Sequence, residues 1–230
     1  MEILVRANPA EVAREAARRI AREAAVAIAA RGCFTLALSG GTTPWLMLDQ
    51  LVTLPIDWSR VHVFQVDERK ARDGSIDRNW TRIQAHLFSR AEVPAGQRHP
   101  MPVLEPPDAA ALGYASALRR VAGDPPQLDV VQLGLGDDGH LASLVPGDPV
   151  LDVHSADVAW TGQEYRGTHR LTLTYPCIAR ARLVLWLVTG EGKAPMLARL
   201  LARDPSIPAG RVPQTGAVLF CDEPAAARPR

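Results

Sequence analysis

The sequence predicts an α/β protein in which an open, mostly parallel sheet carries helices on both faces, a three-layer α/β/α arrangement. Near-continuous apolar runs alternate along the chain with segments of helical periodicity. A strand that is apolar on both sides must be covered on both faces, which helices between parallel strands provide. The composition, 47% hydrophobic and 22% charged residues, is that of an ordinary globular chain.

The first predicted helix begins at Pro9 and ends before Gly32. Asn8 followed by Pro9 has the chemistry of an N-cap and a first-turn proline. Apolar residues then recur at fourfold spacing from Val12 to Ile28, which predicts one buried face. Gly32 is the expected helix stop.

The remaining elements repeat a strand, loop and helix pattern. The predicted strands are the apolar runs at 34–38, 61–66, 128–135 and 183–188. Helices are predicted after the first, second and fourth runs: one with Thr43 as N-cap and Pro44 as its first residue, one over about 77–88, and one that extends through Arg203. After the third run, Pro146 allows only a short helix.

We expect a single domain over residues 1–230, with a small lobe at about 145–175, where the pattern is least regular. A chain of this length buries roughly 70% of its unfolded surface, enough for a substantial core. The proline-rich stretch 94–107 is short enough to be a loop between two elements. The last residues, 223–230, are expected to be frayed.

Composition and charge exclude several classes of protein. Lys and Arg number 26 and Asp and Glu 25, so the formal net charge is +1 and no global field attracts nucleic acid or anionic lipid. An N-terminus without an apolar h-region, and no run of about 18 apolar residues, argue against export and membrane insertion. Three cysteines without CxxC spacing argue against disulfides and a zinc knuckle. We expect a cytoplasmic protein with no nucleic-acid and no membrane partner.

Polar, mostly glycine-rich loops follow the four predicted strands, at the edge of the sheet where parallel α/β proteins bind ligands. We expect these loops to share one crevice. In the first loop, residues 39–43, free N–H groups and hydroxyls precede a helix N-terminus, which favours phosphate. A purely structural turn is the alternative. Ser39 lacks the GxSxG context of a nucleophile.

The third loop carries candidate acid–base chemistry. Gly134, Gly136 and Gly139 match GxGxxG, but two carboxylates inside the loop would repel a pyrophosphate, so a nicotinamide dinucleotide site is disfavoured. Asp138, two residues before His140, can orient its imidazole and raise its basicity. We interpret His140 as a general base, with a surface or capping histidine as the alternative.

Two further cations are candidate phosphate ligands. Arg69 follows two acidic residues at a strand end, where it can clamp a phosphate unless the three charges form an internal salt-bridge network. Lys193 begins a helix, where a positive charge is unfavourable without an anion; a solvated first-turn lysine is the alternative. The histidines and carboxylates lack metal-ligand spacing, so no metal is expected.

Together these motifs resemble the 6-phosphogluconolactonase family, a branch of the glucosamine-6-phosphate isomerase/deaminase superfamily. The resemblance extends over nearly the whole chain and is carried by LSGGTTP (38–44), VDER (66–69) with Asn79, GLGDDGHLASLVPG (134–147), RLTLT (170–174) and VTGEGKA (188–194). The chain departs from the family pattern at Arg78, where a serine is usual, and at Asp137, a position often held by proline or serine.

The resemblance implies a NagB/RpiA/CoA-transferase-like fold and hydrolysis of 6-phospho-D-glucono-1,5-lactone to 6-phosphogluconate, in the oxidative branch of the pentose phosphate pathway. The catalytic residues would be His140, Asp138 and Arg69. The residues that bind the substrate and its phosphate would be Ser39, Gly40, Gly41, Thr42, Thr43, Arg69, Asn79 and Lys193. The resemblance implies a small-molecule sugar-phosphate lactone as the partner and no cofactor, and we expect a monomer or weak homodimer.

Two alternatives stay open. The sugar deaminase branch is similar in the first and third loops, but there Asp-Gly-His is followed by Ala-Phe-Asn-Glu-Pro, whose Glu helps the histidine to open the amino-sugar ring. Residues 143–146 of this chain supply no such carboxylate. A non-catalytic sugar-phosphate-sensing domain on the same fold would carry a helix-turn-helix ahead of it, whereas here the first helix leads within about 30 residues into the ligand loop.

Overall fold

A six-stranded parallel sheet forms the centre of the molecule, and a second sheet has three antiparallel strands. The computed structural model describes residues 1–227. The strands in that range are β1 (Glu2–Arg6), β2 (Phe34–Leu38), β3 (Val61–Gln65), β4 (Asp67–Arg69), β5 (Val130–Leu133), β6 (Val158–Trp160), β7 (Arg170–Leu173), β8 (Leu183–Val188) and β9 (Val218–Asp222). The α-helices are α1 (Pro9–Arg31), α2 (Thr42–Leu51), α3 (Asn79–Ile83), α4 (Pro107–Ala122), α5 (Tyr175–Ala179), α6 (Ala194–Leu201) and α7 (Glu223–Ala226).

The large sheet has the order β1-β9-β8-β5-β2-β3, and all its pairings are parallel. Strands β2, β5, β8 and β9 are buried along their whole length. Residues of α1 and α2 join the apolar core on one face, and residues of α4, α5 and α6 join the core on the other. The predicted three-layer α/β/α architecture is confirmed.

Helix α1 begins and ends where the sequence predicts. The Asn8 side chain accepts the Glu11 backbone N–H at 3.0 Å, so it caps the first turn. Gly32 adopts the left-handed conformation, with φ of 79°, and its N–H donates to the Ile28 carbonyl. The buried stripe of the helix includes Val12, Ala16, Ile20, Ala24 and Ala27.

The predicted start of the second helix is wrong by two residues. Helix α2 begins at Thr42, its N-cap is Gly41, and no side chain caps it. The hydroxyl of Thr43 lies 2.6 Å from that of Thr189 and is therefore used between two loops. Gly41 has φ of 137°, a conformation that favours glycine over a capping side chain.

The second sheet has the order β4-β7-β6, with antiparallel pairings. Two of its strands come from the irregular segment 145–175, and the third is β4, which the chain forms immediately after β3. The charged residues Asp67 and Arg69 therefore lie in a strand of their own rather than in a loop. That strand holds them at the carboxyl edge of the large sheet.

Several elements are absent from the sequence prediction or differ from it. Strands β1 and β9 and helix α4 are additional, the predicted strand 128–135 is shorter, and the helix after Lys193 ends at Leu201 rather than Arg203. Helix α3 continues as a π-helical segment, Gln84–Phe88, so the prediction at 77–88 is confirmed with a change of helix type. The expected fraying of 223–230 is wrong for α7, because Asp222 accepts the Ala225 N–H at 3.0 Å and caps it; residues 228–230 lie outside the described residues.

None of the helices in residues 1–227 combines the length and the apolar character needed to cross a membrane.

Two histidines stack at β3, the strand at one edge of the large sheet: His62 belongs to this strand and His99 lies beside it. Nδ1 of His62 and Nε2 of His99 are 3.0 Å apart, and the His99 ring stacks on Phe64 with centroids 4.1 Å apart. Burial, with smaller contributions from His62 and Arg120, lowers the pKa of His99 from 6.5 to about 4. The folded chain therefore keeps this ring neutral in a range where the unfolded chain takes up a proton.

We expect this histidine to weaken the protein in mild acid. Because its folded pKa lies below the unfolded one, the contribution of neutral His99 is complete above pH 6.5 and is lost as the pH falls towards about 4. His99→Gln does not titrate and should reduce that loss by about 1–2 kcal/mol, a value discounted for solvent screening. Urea unfolding at a series of pH values measures the difference. The same pH dependence in both proteins would contradict this assignment.

Candidate active site

The carboxyl ends of the adjacent strands β2, β5 and β8 border a cavity of about 410 Å³. This is the edge at which the sequence predicts a shared crevice. The predicted site residues that line the cavity are Ser39, Gly40, Gly41, Thr42, Thr43, Arg69, Asn79, His140 and Lys193. Asp138 is not on the cavity wall but contacts His140.

Asp138 holds the imidazole of His140 by one nitrogen. Its Oδ1 lies 2.5 Å from Nδ1 of His140 and also accepts the His140 backbone N–H at 3.1 Å. A carboxylate at Nδ1 places the ring proton on that atom, so the lone pair resides on Nε2. Nε2 has no hydrogen-bond partner in residues 1–227. The ring can therefore accept a proton from a ligand or from water.

Tyr165 is the third side chain in contact with the Asp138–His140 pair. Its hydroxyl donates to Oδ2 of Asp138 at 3.0 Å, and its ring meets that of His140 edge-on with centroids 5.2 Å apart. Burial alone would raise the pKa of Asp138, but the hydrogen bonds from His140 and Tyr165 outweigh it and hold that pKa below its usual value. The carboxylate is therefore charged at neutral pH and can stabilise the imidazolium that forms when His140 takes up a proton.

Gly136 is required by the position of the His140 ring. A Cβ at residue 136 would lie 1.9 Å from Nδ1 of His140, far inside van der Waals contact. The Gly136 N–H also donates to the His140 carbonyl at 2.8 Å. In this GxGxxG stretch the middle glycine accommodates an imidazole of the chain itself.

The loop after β2 presents backbone donors to the cavity. The first N–H groups of a helix have no acceptor inside it, so the amides of Thr42 and Thr43 face outward at the positive end of the α2 dipole. Gly40 is also required, because a Cβ there would lie 2.1 Å from Oδ1 of Asn79. The loop can therefore approach an anion closely through its main chain.

Asn79 is a buried bridge between Arg69 and Asp67. Its Nδ2 donates to the carbonyl of Asp67 at 3.0 Å and to the carboxylate at 3.2 Å, and its Oδ1 accepts from Nη1 of Arg69 at 2.9 Å. Both ends of the amide are occupied, so Asn79 orients Arg69. The same Nη1 donates to the Asp77 carbonyl at 2.7 Å, and Nε of Arg69 is buried without a partner.

Glu68 belongs to an internal charge network. It is fully buried and accepts the backbone N–H groups of Asn79 and Trp80, both at 2.8 Å. Nε of Arg78 lies 3.5 Å from its carboxylate. The atypical Arg78 is thus a buried partner of Glu68, whereas Arg69 forms no ion pair with any carboxylate in residues 1–227.

Lys193 forms an ion pair with Asp137, and both line the cavity. The hydrogen bond from Lys193 is the main cause that lowers the pKa of Asp137. The Asp137 side chain is 68% exposed, so it can turn into solvent when an anion approaches the ammonium group. The unusual residue of the third loop therefore supplies a replaceable counter-ion.

Two arginines of the cavity wall, Arg166 and Arg170, are not among the site residues that the sequence predicts. Arg170 in β7 is 6% exposed, its Nε has no partner, and burial lowers its pKa. Neither arginine forms an ion pair within the described residues. An arginine at the start of the RLTLT run is a usable signal, since a buried charge needs a partner or a ligand. Arg166 and Tyr165 lie in the irregular segment, where no pattern marks them.

Within residues 1–227 no group of three or more His, Cys, Asp or Glu side chains is placed to hold a metal ion. The wall is instead rich in guanidinium groups and main-chain donors. Fold and cavity together define a three-layer α/β protein with a cavity suited to a small anionic ligand at the carboxyl edge of a parallel sheet.

Comparison with known proteins identifies the family. The family model described as glucosamine-6-phosphate isomerases/6-phosphogluconolactonase matches residues 7–220. A 6-phosphogluconolactonase of Mycobacterium tuberculosis is 37% identical over 227 residues, which are 93% of this chain and 92% of that protein. A 6-phosphogluconolactonase of a Nostoc species is 36% identical over 177 residues, 75% of this chain and 73% of the relative.

A solved structure gives the same result. The crystal structure of 6-phosphogluconolactonase from Thermotoga maritima superposes with a TM-score of 0.86 at 26% identity and covers 96% of this chain and 98% of its own. The chain belongs to the glucosamine-6-phosphate isomerase/6-phosphogluconolactonase family, and the resemblance inferred from its motifs is confirmed.

We expect Gly136→Ala to impair the site without unfolding the protein. The added methyl group must displace the His140 ring, and a misplacement of about 1 Å costs on the order of 100-fold in turnover. Gly134→Ala is the matched control, since its Cβ would meet nothing within 4 Å. Turnover and thermal unfolding of both variants measure the effect. Full activity in Gly136→Ala would show that the ring position does not matter.

Proposed function

We propose that the chain hydrolyses 6-phospho-D-glucono-1,5-lactone to 6-phosphogluconate. The observation that carries the proposal is the His140–Asp138 pair beside a cavity whose arginines lack carboxylate partners. A base next to cationic and main-chain donors suits an uncharged ester on a molecule that carries a phosphate. The curated relatives named as 6-phosphogluconolactonases support the same reaction.

The phosphate is proposed to bind where main-chain and guanidinium donors meet. The amides of Thr42 and Thr43, at the N-terminus of α2, lie on the same wall as Arg69 and Arg170. Guanidinium groups bind phosphate through charge-assisted, bidentate hydrogen bonds. Lys193 supplies further positive charge once Asp137 turns away. Ser39, Gly40 and Asn79 shape this wall.

His140 is the proposed general base. Its Nε2 takes a proton from water as the oxygen of that water attacks C1 of the lactone. The C1 to ring-oxygen bond then breaks, and the proton passes from the imidazolium to the departing ring oxygen, which becomes the hydroxyl on C5. Asp138 keeps the imidazole in the required tautomer throughout. A positioned base contributes about 10²- to 10⁴-fold.

The deaminase alternative lacks its extra carboxylate here. In the stretch after His140, Ser143 is buried and donates to Asp67 at 2.6 Å, and Leu144 is buried in the apolar core. Neither can assist in opening an amino-sugar ring. The sensing-domain alternative does not explain an imidazole that a carboxylate holds by Nδ1 and whose Nε2 has no partner in residues 1–227.

The proposed setting is the cytoplasm, with the chain as a monomer or weak homodimer, and without nucleic-acid or membrane partners. The near-neutral net charge of +1 supports the absence of a nucleic-acid partner. Cys33, Cys177 and Cys221 are all free thiols, which suits a reducing compartment.

The reaction is tested with lactone generated in situ from glucose 6-phosphate. The protein should accelerate the loss of the δ-lactone and the appearance of 6-phosphogluconate by many orders of magnitude over the spontaneous rate. Glucosamine 6-phosphate serves as the second substrate, and we expect no release of ammonia from it. Ammonia release without lactone hydrolysis would replace this proposal with the deaminase.

His140→Ala should lower kcat by about 10²- to 10⁴-fold and leave KM nearly unchanged, because the base acts in the transition state and not in phosphate binding. Steady-state kinetics with the δ-lactone measure both constants. His154→Ala is a control on a histidine outside the cavity. Wild-type kcat in His140→Ala would remove this residue from the reaction.

A further inference from the structure

A second cavity, of about 670 Å³, adjoins the proposed active site. The two cavities share the wall residues Gly41, Thr42, Arg69, Asn79, Arg166 and Arg170. The side chains that line only the second one include Trp45, Lys70, Ile76, Asp77 and Arg82. It is large enough for a ligand of its own beside a sugar phosphate.

Its wall carries a strong excess of positive charge. The cations are Arg69, Lys70, Arg82, Arg166 and Arg170, against the single carboxylate of Asp77. Elsewhere in the molecule many arginines are paired with carboxylates, such as Arg19 with Glu23 and Arg199 with Asp204. None of the five cations of this wall forms an ion pair with a carboxylate in residues 1–227.

Arg69 and Arg170 give the clearest indication of a ligand. Each has a buried Nε without a hydrogen-bond partner, and Arg170 is 6% exposed. Burying a guanidinium N–H without a hydrogen-bond partner is costly. Beside these two arginines the second cavity presents Lys70 and Arg82, which also have no carboxylate partner in residues 1–227, so its wall offers further cations to a ligand with more than one anionic group.

The same cavity has an apolar side. Trp45 is half-buried, with its ring stacked on His86 at 5.7 Å between centroids, and Ile76 is 67% exposed. An inorganic oligophosphate would leave both side chains in contact with water, whereas a flat ring would cover them. A nucleotide is a ligand that has both phosphates and a flat aromatic ring.

We propose that this second cavity, built around Lys70, Arg82 and Trp45, binds a nucleoside diphosphate or triphosphate, with its phosphates on the cations and its base against the indole. Because Arg69 and Arg170 line both cavities, the nucleotide competes with the sugar phosphate for the same guanidinium groups. Its binding therefore raises KM for the phosphorylated substrate and leaves kcat unchanged.

Calorimetry at constant ionic strength, without substrate or divalent cations, tests binding directly with ADP and pyrophosphate as probes. We expect ADP to bind more tightly than pyrophosphate and Trp45→Leu to abolish that difference. The double variant Lys70→Ala/Arg82→Ala should weaken both ligands by about tenfold or more, as expected for two lost charge-assisted contacts. Arg72→Ala removes a cation from the same loop but outside the cavity wall, and should change affinity by less than about twofold.

Kinetics separate this cavity from the active site. ADP should raise KM in the wild type and in Arg72→Ala, but not in the double variant, whose own KM should stay within about twofold of the wild type. Unchanged ADP affinity in the double variant would overturn the proposal, as would equal affinities for ADP and pyrophosphate in the wild type. The calorimetric arm needs no turnover, so its result is independent of whether the lactonase proposal holds.

Discussion

Parallel pairing of six strands is the constraint on which the site depends. It brings the carboxyl ends of β2, β5 and β8 to one edge, so loops that are about 95 residues apart in sequence, such as those holding Gly41 and Gly136, meet around one cavity. The second sheet adds two arginines to the wall of this cavity. Its β4 and β7 place Arg69 and Arg170 opposite each other in register, so both guanidiniums reach the same wall.

Two carboxylates, Asp67 and Glu68, are buried near this edge, and the chain surrounds each of them with hydrogen-bond donors. Asp67 accepts from Ser143 and Asn79, and Glu68 accepts main-chain donors at the start of α3. Removing one of these donors would leave a buried carboxylate oxygen without a hydrogen bond, which costs about 1–3 kcal/mol. These carboxylates are fully used by the protein, which leaves the neighbouring arginines for ligands.

The sequence was sufficient for the architecture because the buried strands are almost uninterrupted apolar runs and α1 has clear capping residues. The polar loops at strand ends and the family resemblance also identified part of the cavity wall, but not Arg166 and Arg170. The sequence could not show that Asp67 and Arg69 form a strand, because three residues carry no periodicity, nor that Thr43 bonds to Thr189, because that contact joins loops far apart in sequence. The sequence also did not indicate Tyr165 and Arg166, because a short hairpin after an irregular stretch has no local sequence pattern.

The Tyr165 hydroxyl has a wider consequence. It ties Asp138 to the hairpin whose next residues include Arg166 and Arg170. The segment that carries Arg166 and leads to Arg170 therefore also fixes the carboxylate that holds the imidazole, so a substitution in that segment acts on both the cationic wall and the orientation of the His140 ring.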